Sequence, residues 1–100
     1  MAEAELRNFV DVKNSVGSFS VDDAFRITGR GWVLAGELQG QIEIGYRLDF
    51  GNEVVLHVSG VEMLRKVNTD NFGLLVSNQF DSRQELIDLN IIGATAQILE

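Results

Sequence analysis

Short stretches in which apolar and polar residues alternate recur along most of the chain. Beyond Phe19 they lie at residues 21–27, 32–38 and 41–44, and turn-forming residues separate them. Alternation with a period of two is typical of strands that bury one face, so these stretches predict β-structure and not helix. Their apolar members are predicted to fill the interior: Phe25, Ile27, Ile42 and Ile44.

A β-hairpin is predicted at residues 46–50 and 53–63, with Gly51 and Asn52 forming its turn. A two-residue Gly-Asn loop suits the turns that match the twist of paired strands. Gly60 predicts a β-bulge that shifts the alternation of the second strand. The residues of that strand predicted to line the core are Val54, Leu56, Val58, Val61 and Met63.

The last third of the chain predicts a strand at residues 72–76 and one or two more at residues 91–99, with Gly93 at a turn or bulge. Between them a short helical turn is predicted near residues 82–87. Asp81 is placed to cap its first amides, and Gln84 stands at the position that reaches back in a capping box.

Six or seven short strands predict an all-β fold, a small closed β-barrel of Greek-key type, because closure removes exposed sheet edges. Residues 1–18 have weaker periodicity. They predict a leader that is either partly mobile or adds one strand at residues 9–12. The remainder, residues 19–100, is predicted to be one barrel domain.

Composition supports a single globular domain. A chain of 100 residues with 45% hydrophobic content can bury about two-thirds of its unfolded surface. Its apolar runs are far shorter than the roughly 20 residues of a membrane span, and the acidic start of the chain lacks the apolar run of a signal peptide. With no cysteine there is neither a disulfide framework nor a thiolate metal site. We therefore expect a cytoplasmic location and no membrane partner.

The charge balance and the candidate chemistry argue against several function classes. A formal charge of −7 repels polyanions at long range, so DNA is not an expected partner. His57 is the single histidine, is predicted to face outward, and has no nucleophile to activate. Asp22-Asp23 and Asp70-Asn71 lack the spaced oxygen ligands of a calcium loop. No enzymatic activity, cofactor or metal is predicted.

Two glycine-bounded segments carry the most specific signal. They read Gly-Arg-Gly-Trp-Val-Leu-Ala-Gly at residues 29–36 and Gly-Val-Glu-Met-Leu-Arg-Lys at residues 60–66. Asp-Ala-Phe at 23–25, Gly-Gln-Ile-Glu-Ile-Gly at 40–45 and Asp-Asn-Phe-Gly-Leu-Leu at 70–75 accompany them. In this order the segments resemble the second-domain β-barrel of translational GTPases, which in elongation factor Tu helps to hold the aminoacyl end of tRNA. The resemblance covers residues 19–76 and, more weakly, extends to residue 99.

The resemblance concerns the second domain alone, standing without its GTP-binding domain. The sequence contains no Gly-x-x-x-x-Gly-Lys-Ser/Thr phosphate loop, so GTP hydrolysis by this chain is excluded. What the resemblance implies is a non-catalytic binding module for RNA or a translation component: the tRNA acceptor end, the ribosome or a translation factor. The alternative is a protein–protein interaction or assembly domain that kept the barrel but not RNA binding.

Residue roles follow from the same resemblance. Glu62 matches a glutamate that packs against the terminal adenosine of tRNA, and Asn71 matches an asparagine near the aminoacyl group. Asp23 and Phe25 match positions close to the amino-acid pocket. Arg30 matches an arginine that contacts either a neighbouring domain or an RNA phosphate, as a guanidinium fork can do.

Three further residues are supporting candidates. Arg65 and Lys66 follow Glu62 closely, and the plainer interpretation of Glu62 is a surface carboxylate paired with one of them. Trp32 and Ala35 each stand where the relatives carry a threonine. Trp32 is predicted to be either a core filler or a surface anchor, and an exposed Trp32 would favour a protein partner.

Overall fold

The computed structural model describes residues 15–66 and 69–100, with the backbone alone at 64–66 and 69–70. The predicted leader therefore lies largely outside the described residues, and its strand at 9–12 lies wholly outside them. The described elements are β1 (Ser15–Ile27), β2 (Gly31–Gly40), β3 (Arg47–Asp49), β4 (Val55–Lys66), β5 (Thr69–Val76), α1 (Arg83–Asp88) and β6 (Thr95–Leu99).

The six strands close into a barrel in the order β1-β2-β5-β4-β3-β6. Every neighbouring pair is antiparallel, and β6 closes the ring by pairing with both β1 and β3. Because β3, β4 and β5 are consecutive neighbours and β2 returns to lie beside β5, the order is that of a Greek key. The predicted fold class, a small closed all-β barrel, is confirmed.

The barrel interior is filled by residues from every strand and from α1. Gly36 of β2 also faces the packed interior, and a Cβ added there would collide with the carbonyl oxygen of Ser20 on β1. Glycine therefore allows these two strands to approach closely at this point. The largest fully buried side chains of the core cluster are Phe19, Val21, Leu34, Leu48, Leu74, Val76, Leu86, Ile91 and Ile98.

Two of the register shifts in the described strands decide which side chains face inward. In β4 the register shifts between Val58 and Gly60, which confirms the predicted bulge. In β1 it shifts between Val21 and Asp23, so that Ala24 is buried while Asp23 and Phe25 face outward. A bulge adds one residue to one strand and so reverses the alternation beyond it.

For three residues the predicted place in the core is wrong, because they are exposed. Phe25 is 43% exposed because the β1 bulge turns it outward, and Ile44 is 68% exposed because it lies in the connection between β2 and β3. Met63 is 64% exposed: β3 pairs only with the first three residues of β4, which leaves the far half of β4 less covered. Ile27 is only half-buried, whereas Ile42 packs against the core from the side.

The predicted turn between β3 and β4 is displaced by one residue. The amide of Val54 donates to the carbonyl of Gly51 at 2.9 Å, so Asn52 and Glu53 are the central residues of the turn. Both have positive φ, 52° and 67°, as a type I′ turn requires. The two-residue loop is therefore Asn-Glu and not Gly-Asn.

The short helix lies where it was predicted, but its cap differs. The N-cap is Ser82 and makes no side-chain bond, so the expectation for Asp81 is wrong. Instead the Glu85 carboxylate accepts a bond from the amide of Asp81 at 2.8 Å, reaching back as Gln84 was expected to do. Over the described ranges, no helix has the length and apolar character needed to cross a bilayer.

Candidate functional site on the outer sheet face

The candidate site is the outer face of β1, β2, β5 and β4. Val33 and Leu75 alternate with the core residues Leu34 and Leu74, so they point away from the interior. They are nevertheless buried, and Phe25 lies directly opposite Val33 in the register. These three side chains give the face an apolar floor.

Gly60 of β4 extends this floor to the next strand. It lies opposite Leu75, and a Cβ built on Gly60 would stand 3.2 Å from the Leu75 Cβ. The two residues therefore share the outer face, and the Leu75 side chain lies close beside Gly60.

The next row of the register combines small residues with two carboxylates. Asp23 of β1 lies opposite Ala35, Ala35 opposite Gly73, and Gly73 opposite Glu62 of β4. The two central strands thus carry only a methyl group and a hydrogen here, while acidic side chains stand on the outer strands.

Glu62 forms an ion pair with Arg30. A guanidinium nitrogen (Nη2) of Arg30 lies 2.7 Å from Glu62 Oε1, and both side chains are about half exposed. The turn between β1 and β2 therefore reaches across to β4, a contact that the local sequence cannot reveal. The side chains of Arg65 and Lys66 lie outside the described part, so their supporting role stays a prediction.

Asp23 ties the same face to the helix. Its Oδ1 accepts bonds from Arg83 Nε at 3.0 Å and Nη2 at 2.8 Å, and from the amide of Ala24 at 2.8 Å. A two-nitrogen guanidinium contact holds a carboxylate in a fixed orientation. In the sequence, the position of Arg83 after Ser82 indicates only a helix start, so its contact with Asp23 could not be predicted.

Asn71 completes the set of residues that the fold brings together. It is 8% exposed, lies opposite Glu37 of β2, and is on the same outer face as Gly73 and Leu75. Glu62, Asn71, Asp23 and Phe25 therefore share one side of the sheet, and Arg30 joins them through its bond to Glu62.

Trp32 does not belong to this face. It is 4% exposed, and its indole Nε1 donates to the carbonyl of Phe80 at 3.0 Å. The Phe80 ring meets it edge-on with centroids 6.4 Å apart, and the Arg26 guanidinium lies 5.8 Å from its ring centroid. Trp32 is thus a core filler, and the argument for a protein partner from an exposed Trp32 is removed.

A separate polar cluster surrounds Tyr46, which the sequence analysis did not identify. Its hydroxyl donates to Glu43 at 3.0 Å and lies 3.4 Å from a Glu100 carboxylate oxygen. The hydrogen bond to Glu43, then desolvation and the negative charges of the two carboxylates, raise the pKa of Tyr46 to about 12. Ionising the phenol would place a third negative charge among these groups.

His57 is exposed, as predicted. In the described ranges no group of three or more histidine or acidic side chains could hold a metal ion. The arrangement on the outer face instead suits recognition, because an apolar floor is bordered by oriented charged and polar groups.

Comparison with models of known protein families and with curated proteins gave no match to this chain. The resemblance to the translational GTPase barrel therefore rests on the motifs themselves.

Proposed function

We propose that this protein is a cytoplasmic, non-catalytic binding module whose outer sheet face holds the end of an RNA strand, as the second-domain barrels of translational GTPases do. The observation that carries the proposal is the convergence of Glu62, Asn71, Asp23 and Phe25 on one face. These residues belong to three separate motifs, at residues 23–25, 60–66 and 70–75, and no local pattern requires the three motifs to meet.

The chemistry of the face suits a nucleoside. Phe25, with Val33 beneath it, gives an apolar surface on which a base can stack, a contact that tolerates any base. Glu62 can accept hydrogen bonds from ribose hydroxyls, which distinguish RNA from DNA. Asn71 presents both a donor and an acceptor.

The charge distribution favours a local contact over general attraction. A net charge of −7 gives RNA no long-range steering, so affinity must come from the face itself. Arg30 supplies a guanidinium at its edge, with Glu62 fixing its orientation. We therefore expect moderate affinity with a shallow salt dependence, reflecting few phosphate contacts.

Fluorescence anisotropy of a labelled, aminoacylated acceptor-stem RNA tests the proposal. Glu62→Ala is expected to weaken binding about tenfold, the effect of losing one charge-assisted contact. Because exposed ion pairs contribute less than about 1 kcal/mol, this variant should remain folded. Glu43→Ala, which makes the same change near β3, is the matched control and should bind as the unaltered protein does.

A protein–protein interaction domain is the second candidate. Phe25 is 43% exposed on this face, and a protein partner could also cover it. Absence of RNA binding even at low salt would contradict the first proposal. Self-association in sedimentation experiments, abolished by Phe25→Ala, would then support the second.

A further inference from the structure

An open depression lies beside the turn that joins β1 to β2. It has a volume of about 450 Å³ and is lined by residues 26–31, from the end of β1 to the start of β2, and by Gln79 from the segment after β5. This volume falls in the range of small-ligand sites. Arg30 lines the depression and also bonds to Glu62, so the depression adjoins the outer sheet face.

The lining of the depression is positive in a protein that is otherwise acidic. It contains two arginines and, among the described residues, no acidic side chain. Arg26 forms no ion pair within the described part of the chain, while the Arg30 charge is shared with Glu62. Against a net charge of −7, the uncompensated Arg26 makes this a local point of attraction for an anion.

The fold holds Arg26 in place before any ligand arrives. Arg26 lies directly opposite Trp32 in the register, and its guanidinium stacks near the indole ring at 5.8 Å. Trp32 is itself fixed by burial and by its bond to Phe80. A guanidinium resting on a fixed aromatic face loses less freedom when it binds a ligand.

The turn supplies neutral donors around the two charges. The amide of Arg30 donates to the carbonyl of Ile27 at 2.9 Å, which closes the turn. Gly29 and Gly31 have φ of 82° and 106°, conformations that glycine adopts without strain. Thr28 and Gln79 add a hydroxyl and an amide to the lining.

We propose that this depression is a phosphate-binding site, with Arg26 and Arg30 as its two charged contacts. Planar guanidinium groups match phosphate oxygens in paired hydrogen bonds. The assignment of RNA as the carrier of that phosphate rests on the proposed function, since Arg30 links the depression to the face that would hold the nucleoside. The phosphate site itself follows from the depression alone.

Inorganic phosphate, titrated into the complete chain at constant ionic strength, is the first probe. Trp32 is the single tryptophan, so its emission reports the stacked Arg26 directly. A saturable change is expected. Arg26→Gln should weaken phosphate binding about tenfold, as loss of one charge-assisted contact does, and Arg26→Lys should recover part of the affinity.

A second readout and a matched control separate binding from a local change at the indole. The NMR chemical shifts of the Gly29 and Gly31 amides measure phosphate binding independently of Trp32 emission. Arg47→Gln removes the same charge from β3, where Arg47 Nη2 bonds to the Glu100 carbonyl, and should leave phosphate affinity unchanged. Equal phosphate affinity for Arg26→Gln and Arg47→Gln overturns the site.

The RNA titration separates the two proposals. If phosphate binds and Arg26→Gln weakens this binding, but RNA does not bind, the phosphate site stands and the RNA function fails. A different result is that RNA binds and Glu62→Ala weakens its binding, while Arg26→Gln changes neither RNA affinity nor phosphate affinity. In that case the proposed function stands and the phosphate site is wrong. Tighter binding of a phosphoserine peptide than of RNA would overturn RNA as the carrier.

Discussion

At the scale of single residues, the charged side chains of the candidate face make exposed contacts. The Arg30–Glu62 and Arg83–Asp23 pairs have N–O distances of 2.7 and 2.8 Å, with each partner about half exposed. Such pairs contribute less than about 1 kcal/mol to folding, because solvent screens them and ordering long side chains is costly. Their main effect is to orient two carboxylates, so they can be altered without losing the barrel.

Tyr46 gives a residue-scale prediction on pH. Its pKa is raised to about 12 from the usual 10.0, so the folded state favours the un-ionised phenol. The resulting stabilisation is complete below pH 10 and is lost as the pH rises towards 12. Tyr46 is the single tyrosine, so tyrosinate absorbance measures its titration directly.

Glu43→Gln should lower that midpoint towards the usual value, because Glu43 supplies both the strongest hydrogen bond and a nearby charge. Glu62→Gln, the same change on the outer face, is the control and should leave the midpoint where it is. Identical midpoints in all three proteins would show that Glu43 does not set the pKa.

At the scale of elements, the short helix depends on the barrel. A helix of six residues, as α1 is, is not stable by itself in water. It is held because Leu86 enters the core cluster and because Arg83 binds Asp23 of β1. The helix therefore links the core to the candidate face.

Truncating Leu86 tests this dependence. Leu86 is fully buried, so Leu86→Ala should lower the free energy of unfolding by about 2–5 kcal/mol. Ile87, the next residue, is 38% exposed, so Ile87→Ala should cost less than about 1 kcal/mol. Urea denaturation measures both free energies of unfolding. Equal losses in the two variants would mean that packing of Leu86 does not hold α1 against the barrel.

At the scale of the whole molecule, closure joins the first and last described strands. Ser15 to Ser20 of β1 pair with β6, which also pairs with β3. These contacts link residues about as far apart in sequence as the described chain allows. Without them β1 and β3 would each present an open edge.

Removing residues 95–100 should therefore abolish the cooperative fold. The deletion takes away two ladders and the buried side chains of Ala96 and Ile98. We expect loss of amide dispersion in NMR spectra and of a cooperative thermal transition. Deleting Glu100 alone, an exposed residue, should preserve both. A cooperative transition in the longer deletion would show that closure is dispensable.

The sequence by itself determined the features that depend on local order. Alternation with a period of two predicted the strands, and strand number predicted a closed barrel. The strand predicted at residues 41–44 is wrong, because these residues form the connection between β2 and β3. Gly60 marked its bulge because glycine tolerates the backbone that a bulge requires. The short helix was found between two apolar strands, and His57 was placed outward by its neighbours Leu56 and Val58.

Only the tertiary structure decided what depends on residues distant along the chain. The β1 bulge at Asp22 has no glycine to signal it, so the side on which Phe25 lies could not be predicted. Trp32 is buried because Phe80, 48 residues away, receives its indole bond. Glu62 meets Arg30 only because β2 and β5 lie side by side and bring the β1–β2 turn towards β4. Local patterns set the faces of a strand, whereas register and closure, which arise from contacts across the barrel, decide which faces meet.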